Sequence, residues 1–144
     1  MNVTTSLVLT KTAAKLSQLL GQGGGGALPG LMAERLDPQL SRKLATALNG
    51  GVIVVTGTNG KTTTTKLIAE FLAARGVLVV SNSSGSNLKR GVTSALIAAA
   101  NGKGQIKATV GPYEVEEASR GLIAPQMPPT QLVATNRFRE HLDP

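Results

Sequence analysis

The stretch Thr56-Gly-Thr-Asn-Gly-Lys-Thr-Thr63 narrows the possible folds of this chain more than any other. It follows Gly51-Val-Ile-Val-Val-Thr56, a β-branched run apolar on both faces, which reads as a central parallel strand. It precedes residues 61–74, where Leu67, Phe71 and Ala74 recur at helical spacing and Arg75-Gly76 supplies a stop. A glycine turn between such a strand and such a helix is the setting in which a backbone wraps phosphate. Gly57 and Gly60 allow the chain to curl so that N–H groups from Gly57, Thr58, Asn59, Gly60 and onward through Thr63 face phosphate oxygens. The helix that follows adds the partial positive charge of its N-terminus. Lys61 is then placed to reach β- and γ-phosphates, and the Thr62 hydroxyl to ligate Mg2+. ATP and Mg2+ are the ligands this pattern predicts. The commoner loop has a glycine five places before Gly60, where this chain has Val55; here the glycine is Gly57 and the loop is tighter.

The elements around the loop alternate. A helix is predicted over residues 5–20, with Leu9, Ala13, Leu16 and Leu20 on one face, followed by the glycine run at residues 21–26. That run suits either a flexible linker or a closely packed turn. A short helical piece follows at 29–35. Asp37 then caps, and Pro38 opens, a helix whose inner face is Leu40, Leu44, Ala47 and Leu48. After the loop and its helix come a strand at Val77–Ser81, a polar loop from Asn82 to Asn87, and a helix at 90–100 with Val92, Ala95, Leu96 and Ala99 aligned. Asn101 to Gly104 make a turn, and further strands are predicted at 107–115 and 131–135. Strands alternating with helices predict an α/β fold, a parallel sheet with right-handed crossovers. The boundary falls near residue 48, between an N-terminal helical, glycine-rich segment (1–48) and a partial ATP-binding domain (49–144).

Composition removes several function classes. The chain of 144 residues has no cysteine, so disulfides, thiol catalysis and cysteine-ligated zinc are absent from it. No apolar stretch is long enough for a membrane helix and no signal peptide is evident, so a cytoplasmic, non-transmembrane protein is the default expectation. The net charge is +7. Phe71, Tyr113 and Phe138 are too few aromatics for a row of base-stacking platforms, which argues against nucleic acid as the partner. No acid lies between Glu70 and Glu114, whereas Glu114, Glu116, Glu117, Glu140 and Asp143 crowd the end. A polyphosphate bound at the cationic middle, with carboxylates arriving later to hold a metal, fits that distribution.

The loop Gly57-Thr-Asn-Gly-Lys-Thr62 resembles the ATP loop of the Mur ligase family and its folylpolyglutamate synthase relatives. Four further segments resemble, in order, the MurT-type subunits of lipid II isoglutaminyl synthases within that family. These are Gly23-Gly-Gly-Gly-Ala-Leu-Pro-Gly30, Asn82-Ser-Ser-Gly-Ser-Asn-Leu-Lys-Arg-Gly91, Tyr113-Glu-Val-Glu-Glu-Ala118 and Thr135-Asn-Arg-Phe-Arg-Glu-His-Leu-Asp143. The third of them parallels the family's F-E-V-D-E-A and the fourth its T-N-x-F-R-D-Q-L-D.

The resemblance implies a P-loop-type parallel sheet, the family's central domain, and an ATP-dependent carbon–nitrogen ligase of peptidoglycan biosynthesis. In the family's chemistry a carboxylate, the D-glutamate α-carboxylate of lipid II, is activated as an acyl phosphate. A GatD-like glutamine amidotransferase subunit supplies the ammonia. The resemblance also assigns residues: Glu114 as an Mg2+ ligand and catalytic carboxylate beside Lys61, Asn136 as a residue lining the nucleotide crevice, and His141 as a metal or phosphate residue. Asn82, Asn87 and Arg90 face either substrate or solvent. Two oxygens on one Mg2+ lie about 3 Å apart, so Glu114 must approach Thr62; should Gly111-Pro112 shift the register, Glu116 would take its place. MurT-type proteins continue well past the position of Pro144, and many carry a four-cysteine zinc ribbon. The expectation is therefore the N-terminal portion of such a protein. Another ligase of the same superfamily, or a non-catalytic nucleotide-binding remnant, is the alternative.

Overall fold

The computed structural model describes residues 2–19, 27–82, 89–116, 121, 124–125 and 127–136. The glycine run at 21–26, Asn87, Glu117, Phe138, Arg139, Glu140, His141 and Asp143 lie outside the described residues. Three helices open the chain: α1 (Val3–Leu19), α2 (Leu28–Leu36) and α3 (Leu40–Ala45). Strand β1 (Gly51–Thr56) leads through the loop into α4 (Lys61–Ala74), and α5 (Lys89–Ala99), β2 (Val110–Glu114) and β3 (Gln131–Ala134) follow.

The sheet is parallel, in the order β2-β1-β3. β1 is central, as its two-sided apolar run requires, pairing Val55 with Glu114 on one side and Thr56 with Ala134 on the other. The strand expected at residues 77–81 is reduced to one bridge, Val79 to Val110, beside β2. Pro112 accounts for the reduction. Val80 N–H donates to the Val110 carbonyl at 3.1 Å, so the next rung would come from the N–H of residue 112, which proline lacks.

Alternate residues of β1 feed two layers. Val52 and Val54 join Leu7, Ala33, Leu40, Leu44, Val92, Leu96, Tyr113 and Met127 in one core against α1, α2, α3 and α5. Val55, fully buried, belongs to the opposite face, where α4 packs on β1 and β2. α2 and α5 cross closely, with Gly30 N–H donating to Ser94 Oγ at 2.8 Å.

In α5 Val92 and Leu96 are buried as expected but Ala99 is exposed, and two further helix faces differ more widely from the expectation. In α1, Leu9 and Leu16 are exposed, and Ser6, Leu7, Thr10 and Ala14 are buried instead. A polar anchor sets this rotation: Ser6 Oγ donates to Asp37 Oδ2 at 2.8 Å, and Lys11 Nζ caps the Ala100 carbonyl. In α4, Leu67 and Phe71 are exposed, at 52% and 70%. The phase of α4 is fixed at its start, where Lys61 folds back over the loop, and the inward positions counted from there are Thr65, buried, with Thr64, Ile68 and Leu72 partly so. Asp37 also differs in detail. Its Oδ1 accepts the Gln39 N–H at 3.1 Å and its carbonyl the Leu40 N–H, so it caps the Pro38-Gln39 turn that leads into α3.

Candidate nucleotide and metal site

The site lies at the carboxyl edge of the sheet, where open α/β folds form their ligand crevice. β1 delivers the loop there. Gly57 has φ +137°, and a Cβ on it would come within 2.3 Å of Thr135 Oγ1 and 2.8 Å of the Asn136 carbonyl, so no other residue fits. Gly60, at φ +81°, ends the loop and opens α4. Lys61 Nζ donates to the Gly57 and Thr58 carbonyls at 2.8 and 3.2 Å. Its ammonium therefore sits inside the curl of the loop, over the start of α4. Thr63, the next residue but one, is exposed.

The end of β3 grips the loop from the other side. Thr135 Oγ1 donates to the Asn59 carbonyl at 2.7 Å, Asn136 Oδ1 accepts the Asn59 N–H at 2.9 Å, and the Asn136 carbonyl accepts the Thr58 N–H at 3.3 Å. Asn136 thus engages the loop itself. The Thr58 and Asn59 N–H groups, counted among the phosphate donors on the sequence, both turn toward Asn136 at the end of β3 here. The motif fixes a loop of this shape, but the partner that takes each N–H depends on which strand lies beside it, and β1 pairs directly with β3.

Thr62 and Glu114, separated by 52 positions, meet: Thr62 Oγ1 donates to Glu114 Oε2 at 2.8 Å. The β1–β2 register puts Glu114 opposite Val55, on the face covered by α4, so Gly111-Pro112 leaves Glu114 in place and Glu116 is not its substitute. The spacing of the two oxygens matches adjacent ligands of one Mg2+, which sit about 3 Å apart. Mg2+ keeps several waters and binds through one or two carboxylates plus substrate phosphates, so a hydroxyl and one carboxylate suit it. No cluster of three or more His, Cys, Asp or Glu occurs among the described residues. His141, the third expected metal residue, is outside the described residues.

Asn82 is 5% exposed and holds the main chain of Glu114, accepting its N–H at 3.0 Å and donating to its carbonyl at 2.9 Å. Arg90 Nε donates to Glu34 Oε2 at 2.8 Å, which ties that side chain to α2. Burial alone would raise the Glu34 carboxyl, but hydrogen bonds and charge from Arg90 and Lys89 outweigh it and hold the group below its ordinary range.

The family model for the Mur ligase middle domain matches residues 55–143. The chain belongs to the Mur ligase family. The matched stretch of this Mur ligase domain takes in the loop, α4, Asn82, Glu114, Asn136 and His141. Over 139 residues, 96% of its length, the chain is 35% identical to the subunit MurT of lipid II isoglutaminyl synthase (glutamine-hydrolyzing) from Staphylococcus aureus strain COL. It is 34% identical over 143 residues, 99% of its length, to the subunit of the same name from Streptococcus pneumoniae strain ATCC BAA-255 / R6. The chain spans 30% and 31% of those two relatives. No helix among the described residues is long and apolar enough to cross a membrane.

Sequence reasoning missed two parts of this site. Thr135 was visible only as the end of a strand; that it clamps Asn59 follows from the β1–β3 pairing. Asn82, expected to face either substrate or solvent, is instead buried and turned onto the Glu114 main chain, and only the missing rung at Pro112 hints at that role.

Proposed function

We propose that this chain binds MgATP and forms the nucleotide-binding part of a MurT-type ligase acting on lipid II. The single observation that carries the reading is the Thr62–Glu114 contact beside Lys61, an oxygen pair of metal spacing at the mouth of a phosphate loop. When bound, Mg2+ would supply positive charge against the charge that develops in phosphoryl transfer. Thr62 and Glu114 would hold it. Lys61 exchanges its loop carbonyls for β- and γ-phosphate oxygens, and Glu114 keeps its carboxylate turned to the same edge. Asn136 and Thr135 keep the loop curled while this occurs.

In the reaction this supports, a carboxylate oxygen of the D-glutamate in the stem peptide attacks the γ-phosphorus and ADP departs. Ammonia then attacks the acyl carbon, phosphate leaves, and the product is an amide. The resemblance to MurT subunits, which belong to a glutamine-hydrolysing synthase, supports a GatD-like amidotransferase as the source of ammonia. It also supports lipid II at the cytoplasmic face of the membrane as the acceptor. Calorimetric titration with MgATP tests the binding reading. Lys61→Ala is expected to weaken binding about 10- to 100-fold, the loss of one or two charge-assisted contacts. Unchanged affinity in Lys61→Ala overturns the phosphate-loop reading.

A further inference from the structure

The edge of β2 away from β1 is held unusually. In a parallel strand the N–H and carbonyl of one residue point to the same neighbour, and alternate residues serve alternate sides. Val115 N–H donates to the Val55 carbonyl at 2.9 Å, so residues 111, 113 and 115 serve β1. Residues 110, 112 and 114 serve the segment around 78–82: Val110 accepts from Val80, and Pro112 has no N–H to give. Past that gap the main chain of residue 114 would lack its next partners, at the position whose carboxylate meets Thr62. Asn82 supplies both. Its Oδ1 takes the Glu114 N–H and its Nδ2 the Glu114 carbonyl, and Asn82 itself is 5% exposed. One carboxamide thus stands in for the strand ladder, and only one orientation of that amide satisfies both bonds.

We infer that Asn82 is a positioning residue of the metal site: by fixing the Glu114 backbone it presets the Glu114 carboxylate against Thr62, so that Mg2+ meets a carboxylate already in place. The inference rests on the proposed MgATP binding. Glu114 can reach the metal without Asn82, but it must then be ordered at the moment of binding. Residues that support a metal ligand in this way typically contribute 10- to 100-fold to metal affinity.

The test measures ATP affinity by calorimetry with saturating Mg2+ and with the metal chelated, and takes the ratio as the Mg2+ coupling. Asn82→Ala is expected to cut that coupling about 10- to 100-fold while leaving metal-free ATP affinity, which depends on Lys61, unchanged. In Glu114→Gln the further change Asn82→Ala is expected to have no added effect, because Asn82 acts only through Glu114. Amide hydrogen exchange without ligand gives a second readout: the Glu114 N–H is expected to lose protection in Asn82→Ala. Should Asn82→Ala fail to fold, Asn82→Asp keeps the acceptor and loses the donor, and a partial loss of coupling is expected. Wild-type coupling in either folded variant, or additive losses with Glu114→Gln, overturns the inference. Absence of Mg2+ coupling in the wild-type chain overturns the metal reading beneath it, a separate result.

Discussion

Tyr113 shows how much one residue's surroundings decide. It is 1% exposed in the core, its hydroxyl has no hydrogen-bond partner among the described residues, and burial pushes its phenol far above the ordinary range. Gly111 makes the room, since a Cβ there would sit 2.5 Å from the ring. An unsatisfied buried hydroxyl costs desolvation free energy without returning a bond. Tyr113→Phe is therefore expected to leave stability unchanged or raise it by up to about 1 kcal/mol, measured by urea unfolding. A loss larger than that would mean the hydroxyl is bonded. The neighbouring site residues were legible in the sequence to different degrees. Lys61 and Thr62 follow from the loop alone, because a lysine and a threonine after the second glycine begin the helix that the loop requires. Glu114 takes its role only from the resemblance, while Asn82 reads as facing substrate or solvent and Thr135 as a strand end, because the partners of both are set by strand adjacency.

At the scale of elements, α1, α2 and α3 are joined by Asp37. Its carboxylate, 7% exposed, accepts from Ser6 of α1, Gln39 N–H and Lys43 of α3 at 2.8 to 3.1 Å. Burial alone would raise its pKa, but these hydrogen bonds and the Lys43 charge prevail and hold it below the ordinary 3.8. A carboxyl lowered in the native state stabilises the fold fully above its unfolded value, and that contribution is lost as pH falls through the lower native value. Asp37→Asn is expected to cost about 1–3 kcal/mol at pH 7 and to flatten the loss of stability seen below about pH 4. The check is urea unfolding of both proteins across about pH 2.5–7. An unaltered pH dependence would assign that loss to other carboxyls, Glu34 among them. Element positions were largely legible: β1 and α4 fall where the β-branched run and the loop put them. Their faces were less so. A spacing of leucines marks Leu9, Leu16, Leu67 and Phe71 as a core, yet a serine on an aspartate and a lysine folded over a loop set the rotation of those two helices.

At the scale of the whole molecule, the described residues offer one wall of the phosphoryl-transfer site proposed above. The transition state spreads negative charge over the three equatorial oxygens of the moving phosphoryl group, and catalysis needs positive charge and donors around it. Here Lys61, the loop and the Thr62–Glu114 pair all lie at one edge of a three-stranded sheet. The outer edge of β3 carries no partner strand among the described residues, and Leu132 there is 51% exposed. The MurT relatives are about three times as long. Binding and turnover should therefore separate in this chain of 144 residues. It is expected to bind MgATP yet to release phosphate slowly or not at all, and to form no amide with lipid II, glutamine and a GatD-type subunit. Phosphate release and mass analysis of the lipid product check this, with a full-length MurT as reference. Turnover at a rate similar to that reference would mean that this single wall suffices, and that charge on the remaining sides of the phosphoryl group is dispensable.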